Sequence, residues 1–207
     1  MVRATVPTIG ILALQGGYSE HVASFRRIGV AGRQVRSPKD LDGLHGLVLP
    51  GGESTAIGLL AESSGLIGPL RSWREAGRPV WGTCAGMIML ADQVLGQKEG
   101  GQSLIGGLDI TVSRNHFGGQ LHSFEAAIYS PLVNAASARG VFIRAPAIIE
   151  VGERAEPIAT LADGTCVGVR QGFLLATAFH PELTADDRWH RIFLDMVLRS
   201  TSSGRQS

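Results

Sequence analysis

Pro79-Val80-Trp81-Gly82-Thr83-Cys84-Ala85-Gly86-Met87 is the stretch that decides how this chain folds. A short apolar run ends in Gly-x-Cys-x-Gly, and a second apolar run, Met87 to Leu95, follows at once. Strand, sharp turn and helix in that order form a nucleophile elbow, with cysteine where the better-known version carries serine. Gly82 and Gly86 make the turn sterically possible, and the turn lifts the sulfur to the N-terminus of a helix. The exposed N–H groups and the helix dipole there favour the thiolate, the form that attacks carbon. A plainer reading stands beside it: Cys84 as a small buried hydrophobe in a Gly-rich turn.

Outward from the elbow, the first half alternates strand-length apolar runs with helical patterns. Thr8 to Leu14 predicts a buried strand, then a Gln15-Gly16-Gly17 turn and a helix from Ser19 to Ile28. Leu44 to Leu49 predicts the next strand, closed by Pro50-Gly51-Gly52. Ser54 can cap the following helix, with Ile57 and Leu60 pointing inward. Pro69 and Gly77 read as the start and stop of another helix. Gly-rich turns at strand C-termini predict an α/β fold: a single flavodoxin-like doubly wound domain, a mixed central sheet with helices on both faces. The second half is more β-like, with strands at Ser103 to Val112, Ser123 to Ile128, Val141 to Arg144 and Ile148 to Val151. Asp163-Gly164 reads as a hairpin turn between Pro157–Leu161 and Cys166–Arg170. Leu174 to Phe179 is a last buried strand, and Thr184 caps a closing helix whose apolar face includes Trp189, Phe193 and Val197. The polar tail from Ser200 to Ser207 is expected to fray. With no repeat and no linker, residues 1–207 read as one domain.

The totals narrow the class. Charged residues are 18% and hydrophobic ones 44% of 207, the profile of a globular enzyme rather than a disordered or membrane chain. Net charge is +1 with both signs interspersed, so nucleic acid is not an expected partner. No apolar run is long enough to span a bilayer, and the N-terminus lacks a charged start followed by a long apolar stretch, so no leader is expected. Two distant cysteines, Cys84 and Cys166, make neither a disulfide framework nor a metal quartet, and Cys166 reads as structural. A free thiol with a catalytic context points to the cytoplasm. No metal or other cofactor is expected.

A cysteine nucleophile needs a base, and the base needs an orienting group. His180 closes a buried strand immediately before Pro181, and such strand ends converge on the rim that carries the elbow. Pro181 forces an extended path that lets Glu182 fold back toward the far ring nitrogen, so Cys84, His180 and Glu182 read as a triad. His21 and His190 on helix faces, His45 before a strand, and His116 and His122 in a Gly-rich loop are weaker candidates. Oxyanion donors are available from Ala85, which comes with the elbow, and from Gly51-Gly52 at a neighbouring strand end. A phosphate cradle there is disfavoured, because the Gly-Lys-Ser/Thr of a P-loop is missing. Arg114 and Arg144 can hold a carboxylate in a fork, or serve equally as surface ion-pair residues.

Six segments together resemble one family. They are Ala13 to His21, Leu47 to Thr55, Trp81 to Met87, Arg114-Asn115-His116-Phe117-Gly118, Phe142-Ile143-Arg144-Ala145-Pro146 and His180-Pro181-Glu182-Leu183. The chain resembles, from Ile9 to Leu198, the glutaminase subunits of pyridoxal 5′-phosphate synthase, which are class I (triad) glutamine amidotransferases. The resemblance implies that Cys84 attacks the side-chain amide of L-glutamine to give a thioester and ammonia. His180 would move the protons and Glu182 would orient it. It further implies that Gly52, Glu53, Ser54, Arg114, Ile143 and Arg144 contact the glutamine. Ammonia would pass to a partner synthase subunit built as a (β/α)8 barrel, for vitamin B6 cofactor synthesis. Docking of that partner would complete the oxyanion hole near Gly51 and Gly52. One departure is visible: Gly119 stands where the family usually has arginine. Other triad amidotransferase subunits, a γ-glutamyl hydrolase, a redox or stress protein on the same scaffold, and a non-catalytic binding subunit are the competing readings.

Overall fold

Continuous apolar runs become strands buried on both faces, the signature of a parallel sheet covered by helices. The computed structural model describes residues 6–96, 101–114, 123–133 and 138–203. Its first half runs β1 (Thr8–Leu12), α1 (Tyr18–Arg27), β2 (Ala31–Val35), β3 (Gly46–Leu49), α2 (Ser54–Ser63), α3 (Ile67–Glu75), β4 (Val80–Thr83) and α4 (Ala85–Leu90). The second half adds β5 (Ala91–Leu95), β6 (Leu108–Ser113), β7 (Ser123–Ile128), β8 (Ala138–Ile143) and β9 (Ala147–Val151). It closes with β10 (Glu156–Thr160), β11 (Cys166–Gln171), β12 (Leu174–Thr177) and α5 (Arg188–Ser203).

Seven strands form the main sheet in the order β10-β11-β12-β4-β3-β1-β2. From β12 to β2 all neighbours are parallel, and β10 and β11 extend the sheet antiparallel. The order β2-β1-β3-β4-β12 is that of flavodoxin-like sheets, with the direction of winding reversing between β1 and β3. Because β1→β2 and β3→β4 step in opposite directions, right-handed crossovers put α1 on one face and α2 and α3 on the other. Parallel alignment brings the C-termini of β1, β3, β4 and β12 to one rim. A second sheet, β5-β6-β9, and the β7-β8 hairpin flank the first. The hairpin is tied to the rim by the His180 N–H, which donates to the Val141 carbonyl at 2.8 Å.

One contiguous apolar cluster fills the interior. On the α1 side, Trp81 lies among Phe193, His190 and His21, with ring centroids 5.7, 5.0 and 5.4 Å away. Phe25 of α1 closes the cluster against Phe193 at 6.4 Å.

Several elements differ from the sequence-based expectation. The run Met87 to Leu95 is not one helix: α4 stops at Leu90, and Ala91–Leu95 pairs in parallel with β6. Met87 to Leu90 are all buried, whereas Asp92 and Gln93 are exposed, so only the first part can be wrapped in core. Apolar character cannot tell these two fates apart; strand pairing does. β2, Ala-Gly-Arg-Gln-Val, has no counterpart among the expected strands, because as a largely exposed edge strand it lacks an apolar run. The expected strand from Ser103 begins only at Leu108. Glu53, not Ser54, caps α2, its carboxylate accepting from the N–H groups of Thr55 and Ala56 at 3.1 and 2.8 Å. Leu60 is partly exposed rather than inward. Thr184 precedes rather than caps α5, its hydroxyl accepting from the Asp186 N–H. The helix reaches Ser203, and the rest of the tail lies outside the described residues.

Two glycines in helices make a sharp comparison. A Cβ on Gly86 would sit 1.9 Å from the Leu49 carbonyl oxygen, backbone that cannot yield. A Cβ on Gly68 would meet nothing within 4 Å. Urea unfolding of Gly86→Ala is therefore expected to show a loss of at least about 3 kcal/mol. Gly68→Ala is expected to gain about 0.5 kcal/mol by stiffening the unfolded chain.

Candidate active site

The elbow is a strained turn made possible by backbone contacts. Cys84 adopts φ 50° and ψ −105°, a conformation that side chains rarely take. Its N–H donates to the Thr177 carbonyl at 2.8 Å, joining the ends of β4 and β12. A Cβ on Gly82 would lie 2.4 Å from the Gly86 carbonyl oxygen, so both flanking glycines are places where chain passes against chain. Cys84 is buried, and its Sγ lies 3.8 Å from the Ile143 carbonyl at the end of β8.

His180 follows β12 on the same rim. Its Nδ1 is 2.8 Å from Glu182 Oε1, and Cys84 is close enough to the ring to act on its charge. Since the carboxylate only accepts, Nδ1 carries a proton and Nε2 is left for the sulfur. Burial opposes the imidazolium, but the hydrogen bonds and charges of Cys84 and Glu182 outweigh it and raise the pKa to about 10. Glu182 is also buried, which opposes its charge. The two histidines facing it, His21 and His180, more than offset that and lower its pKa. Pro181 opens a short 3-10 turn, Pro181–Leu183, and that turn swings Glu182 back under the ring.

Gly51 packs flat on this imidazole: a Cβ there would lie 2.2 Å from His180 Cε1. Its carbonyl accepts from the Gly17 N–H at 3.1 Å, fixing the peptide between Gly51 and Gly52 against the turn after β1. Gly52 is crowded by Gln15, whose Oε1 accepts from the Glu53 N–H at 2.7 Å. Ala85 opens α4, where the first N–H groups have no partner within the helix.

Beside Cys84, His180 and Glu182 lies a polar cluster. Glu53 Oε1 accepts from Arg114 Nη2 at 2.6 Å while the same carboxylate caps α2. Burial opposes its charge, but the two N–H groups and the guanidinium lower its pKa. Gln102 Oε1 gathers Arg114 Nη1, Ser54 Oγ and Thr55 Oγ1 at 3.1, 3.2 and 3.2 Å. Arg144 has φ 47° and an exposed side chain next to Ile143, so backbone strain recurs opposite the elbow.

The structure thus gathers Cys84, His180, Glu182, Gly51 and Ile143 in one place, and Glu53, Ser54 and Arg114 in an adjoining one. Gln15 and Gln102 are absent from the sequence-based candidates, since a lone glutamine carries no pattern. His21 and His190, the weaker candidates on helix faces, are fully buried behind Glu182. The His45 ring accepts from the Thr8 N–H at 3.1 Å, and the His45 backbone N–H donates to the Thr8 carbonyl at 2.9 Å. His116, His122 and Gly119, with the rest of the Asn115 to Gly118 motif, lie outside the described residues. Cys166 sits in β11, its thiol pushed up by burial. Among the described residues no cluster suited to a metal ion occurs, and no helix is long and apolar enough to cross a membrane.

A thiol on an elbow, an imidazole and a buried carboxylate on one sheet rim is the arrangement of triad-type acyl-transfer enzymes on α/β scaffolds. Comparison with solved structures agrees on the fold. A crystal structure of a glutamine amidotransferase superposes with a TM-score of 0.84 at 45% identity, covering 91% of this chain and 98% of that one. A glutamine amidotransferase from Thermotoga maritima, at TM-score 0.58 and 15% identity, shares the fold over 95% of this chain and 86% of that one. The chain belongs to the SNO glutamine amidotransferase family, whose model matches residues 11–199. It is 52% identical to the pyridoxal 5′-phosphate synthase subunit PdxT of Clavibacter michiganensis over 92% of this chain and 91% of the relative. It is 48% identical to a probable pyridoxal 5′-phosphate synthase subunit of Arabidopsis thaliana, over 92% and 86%.

The contact between Gly51 and the imidazole predicts a specific defect. Gly51→Ala should displace the ring and lower alkylation of Cys84 by iodoacetamide at neutral pH by about tenfold or more. Thermal unfolding should shift far less than for Gly86→Ala.

Proposed function

We propose that this chain is a glutaminase that converts L-glutamine and water to L-glutamate and ammonia through a thioester on Cys84. The observation that carries the reading is His180 held between Cys84 and Glu182 on one rim of the sheet. The sulfur attacks the side-chain carbonyl carbon, and His180 gives its proton to the departing ammonia. His180 then takes a proton from water, which attacks the thioester and releases glutamate and the thiol. Glu182 keeps the proton on Nδ1 throughout. N–H groups of Ala85 and of the Gly51-Gly52 strand end stabilise the oxyanion.

Arg114 and Glu53 supply a cation and an anion for the α-carboxylate and α-amino groups of glutamine. Gly52, Ser54, Ile143 and Arg144 complete the pocket. Residues 1–207 act as one glutaminase domain, which the single apolar cluster supports. The ammonia passes to a synthase subunit built as a (β/α)8 barrel, for pyridoxal 5′-phosphate synthesis. The relatives, named for subunits of that synthase, support this reading. Two free cysteines suit the reducing cytoplasm.

Ammonia release from glutamine, measured with and without the barrel subunit, tests this directly. Cys84→Ala should remove activity by about 10⁴-fold or more, whereas Cys166→Ala should stay within about twofold. No ammonia in the presence of the partner sinks the reading. Because His180 holds its proton up to about 10, kcat/KM should fall only as pH rises through that value. A fall centred near the ordinary imidazole range would show that the ion pair does not form.

A further inference from the structure

Two buried histidines behind the triad have no part in the chemistry so far. His21 of α1 and His190 of α5 are both fully buried. His21 Nε2 lies 3.4 Å from Glu182 Oε2 and 3.2 Å from Thr83 Oγ1, and its Nδ1 is 3.0 Å from His190 Nε2. Glu182 Oε2 makes no hydrogen bond among the described residues; His21 Nε2 meets it as a polar contact at 3.4 Å, while the hydrogen bond of that nitrogen runs to Thr83 Oγ1. Four elements therefore meet in one polar line across an otherwise apolar interior.

Proton placement in that line has two solutions. In the first, His21 carries its proton on Nε2, directed at Glu182 Oε2 and Thr83, and accepts at Nδ1 from His190 Nε2–H. His190 Nδ1 is then a bare lone pair, and Glu182 Oε2 faces the N–H end of the His21 ring rather than another lone pair. In the second, His21 is protonated on Nδ1, its Nε2 lone pair faces the carboxylate, and His190 must bury an unpaired Nδ1–H. The second stacks a lone-pair repulsion on an orphan donor, and orphan buried donors are the rarer and costlier kind. The first prevails, because the unpartnered His190 Nδ1 is then a bare acceptor rather than a buried donor.

We propose that His21, with its tautomer fixed by His190, is a positioning residue for the triad: the positive end of its ring dipole, at Nε2, faces the otherwise unpartnered second oxygen of Glu182 at 3.4 Å. Glu182 thereby has a hydrogen bond to His180 at one oxygen and the polar contact with His21 at the other, and stays ionised opposite the imidazolium. The titratable groups facing this carboxylate are His21 from α1 and His180 from the rim, with Cys84 acting on His180 and His190 of α5 behind His21. Glu20 of α1 and Arg27, the latter paired with Asp187, add longer-range fields to the two buried histidines. Burial keeps His21 and His190 neutral, so His21 acts as a dipole rather than a second cation. The proposal rests on Cys84, His180 and Glu182 forming a triad, but not on the identity of the substrate.

The test reads the ion pair without glutamine. In a Cys166→Ala background, the rate of Cys84 alkylation by iodoacetamide is followed against pH, with thermal unfolding measured on each sample. His21→Leu strands Glu182 Oε2, so the carboxyl protonates at higher pH and the acid limb should move up. Alkylation should fall about tenfold near pH 6 and converge with the parent above about pH 8. His21→Gln, whose amide N–H can reach the same oxygen, should keep the parental profile even if it unfolds at lower temperature. His190→Phe keeps the ring contacts but frees the tautomer, and should fall between the two. A parental profile for His21→Leu, or equal shifts for Leu and Gln, overturns the proposal and leaves His21 as packing alone. Failure of the glutaminase assay would leave this result standing, since alkylation needs neither glutamine nor partner.

Discussion

Everything at this site depends on backbone passing against backbone where β3, β4 and α4 meet. Gly86 lies on the Leu49 carbonyl, and Gly82 lies on the Gly86 peptide. Any side chain there would push α4 off the sheet, and with it the strained Cys84. The same closeness carries into the neighbouring strand ends, where Gly51 lies against the imidazole and Gly16 against the Gly51 carbonyl. The rim is thus a set of glycine contacts with a few long side chains projecting between them. Its geometry is set by van der Waals exclusion before any charge is considered.

Charge is then placed where it is hardest to hold. His180 and Glu182 are buried, and burial opposes the charge of each. Ionisation survives because each charge faces an opposite one at hydrogen-bond distance, as a buried pair requires. Behind them the interior stays neutral: His190 is lowered to about 2 and His21 is lowered as well. One face of Glu182 meets a cation and the other meets neutral rings packed with Trp81 and Phe25. Such an environment keeps the carboxylate from exchanging partners with solvent.

Glu53 shows the same economy in the neighbouring polar cluster. Its backbone N–H is held by Gln15, its carboxylate caps α2, and one of its oxygens takes Arg114. Helix start, turn and cation are therefore fixed together, so a ligand that reorients Arg114 also acts on the α2 N-terminus. Gln102 reinforces the link, joining Arg114 to Ser54 and Thr55 across a segment with no apolar pattern to reveal it.

Local chemistry was legible where the sequence constrains the backbone by itself. Gly82, Cys84 and Gly86 spell a turn, His180-Pro181-Glu182 spells a folded-back acid, and the apolar runs Thr8 to Leu14 and Leu174 to Phe179 spell buried strands, which form over Thr8–Leu12 and Leu174–Thr177. Each of these follows from steric rules that act within a few residues. What needed the tertiary structure was everything set by a distant partner. Ala91–Leu95 became a strand because β6 was there to pair with it, and β2 formed at an edge without an apolar face. His21 looked like an ordinary helix-face histidine until α1 and α5 closed over Trp81 and brought it, His190 and Glu182 into line. No local rule encodes such a meeting; it arises from packing four elements into one dry interior, where each polar group must find its partner or stand alone.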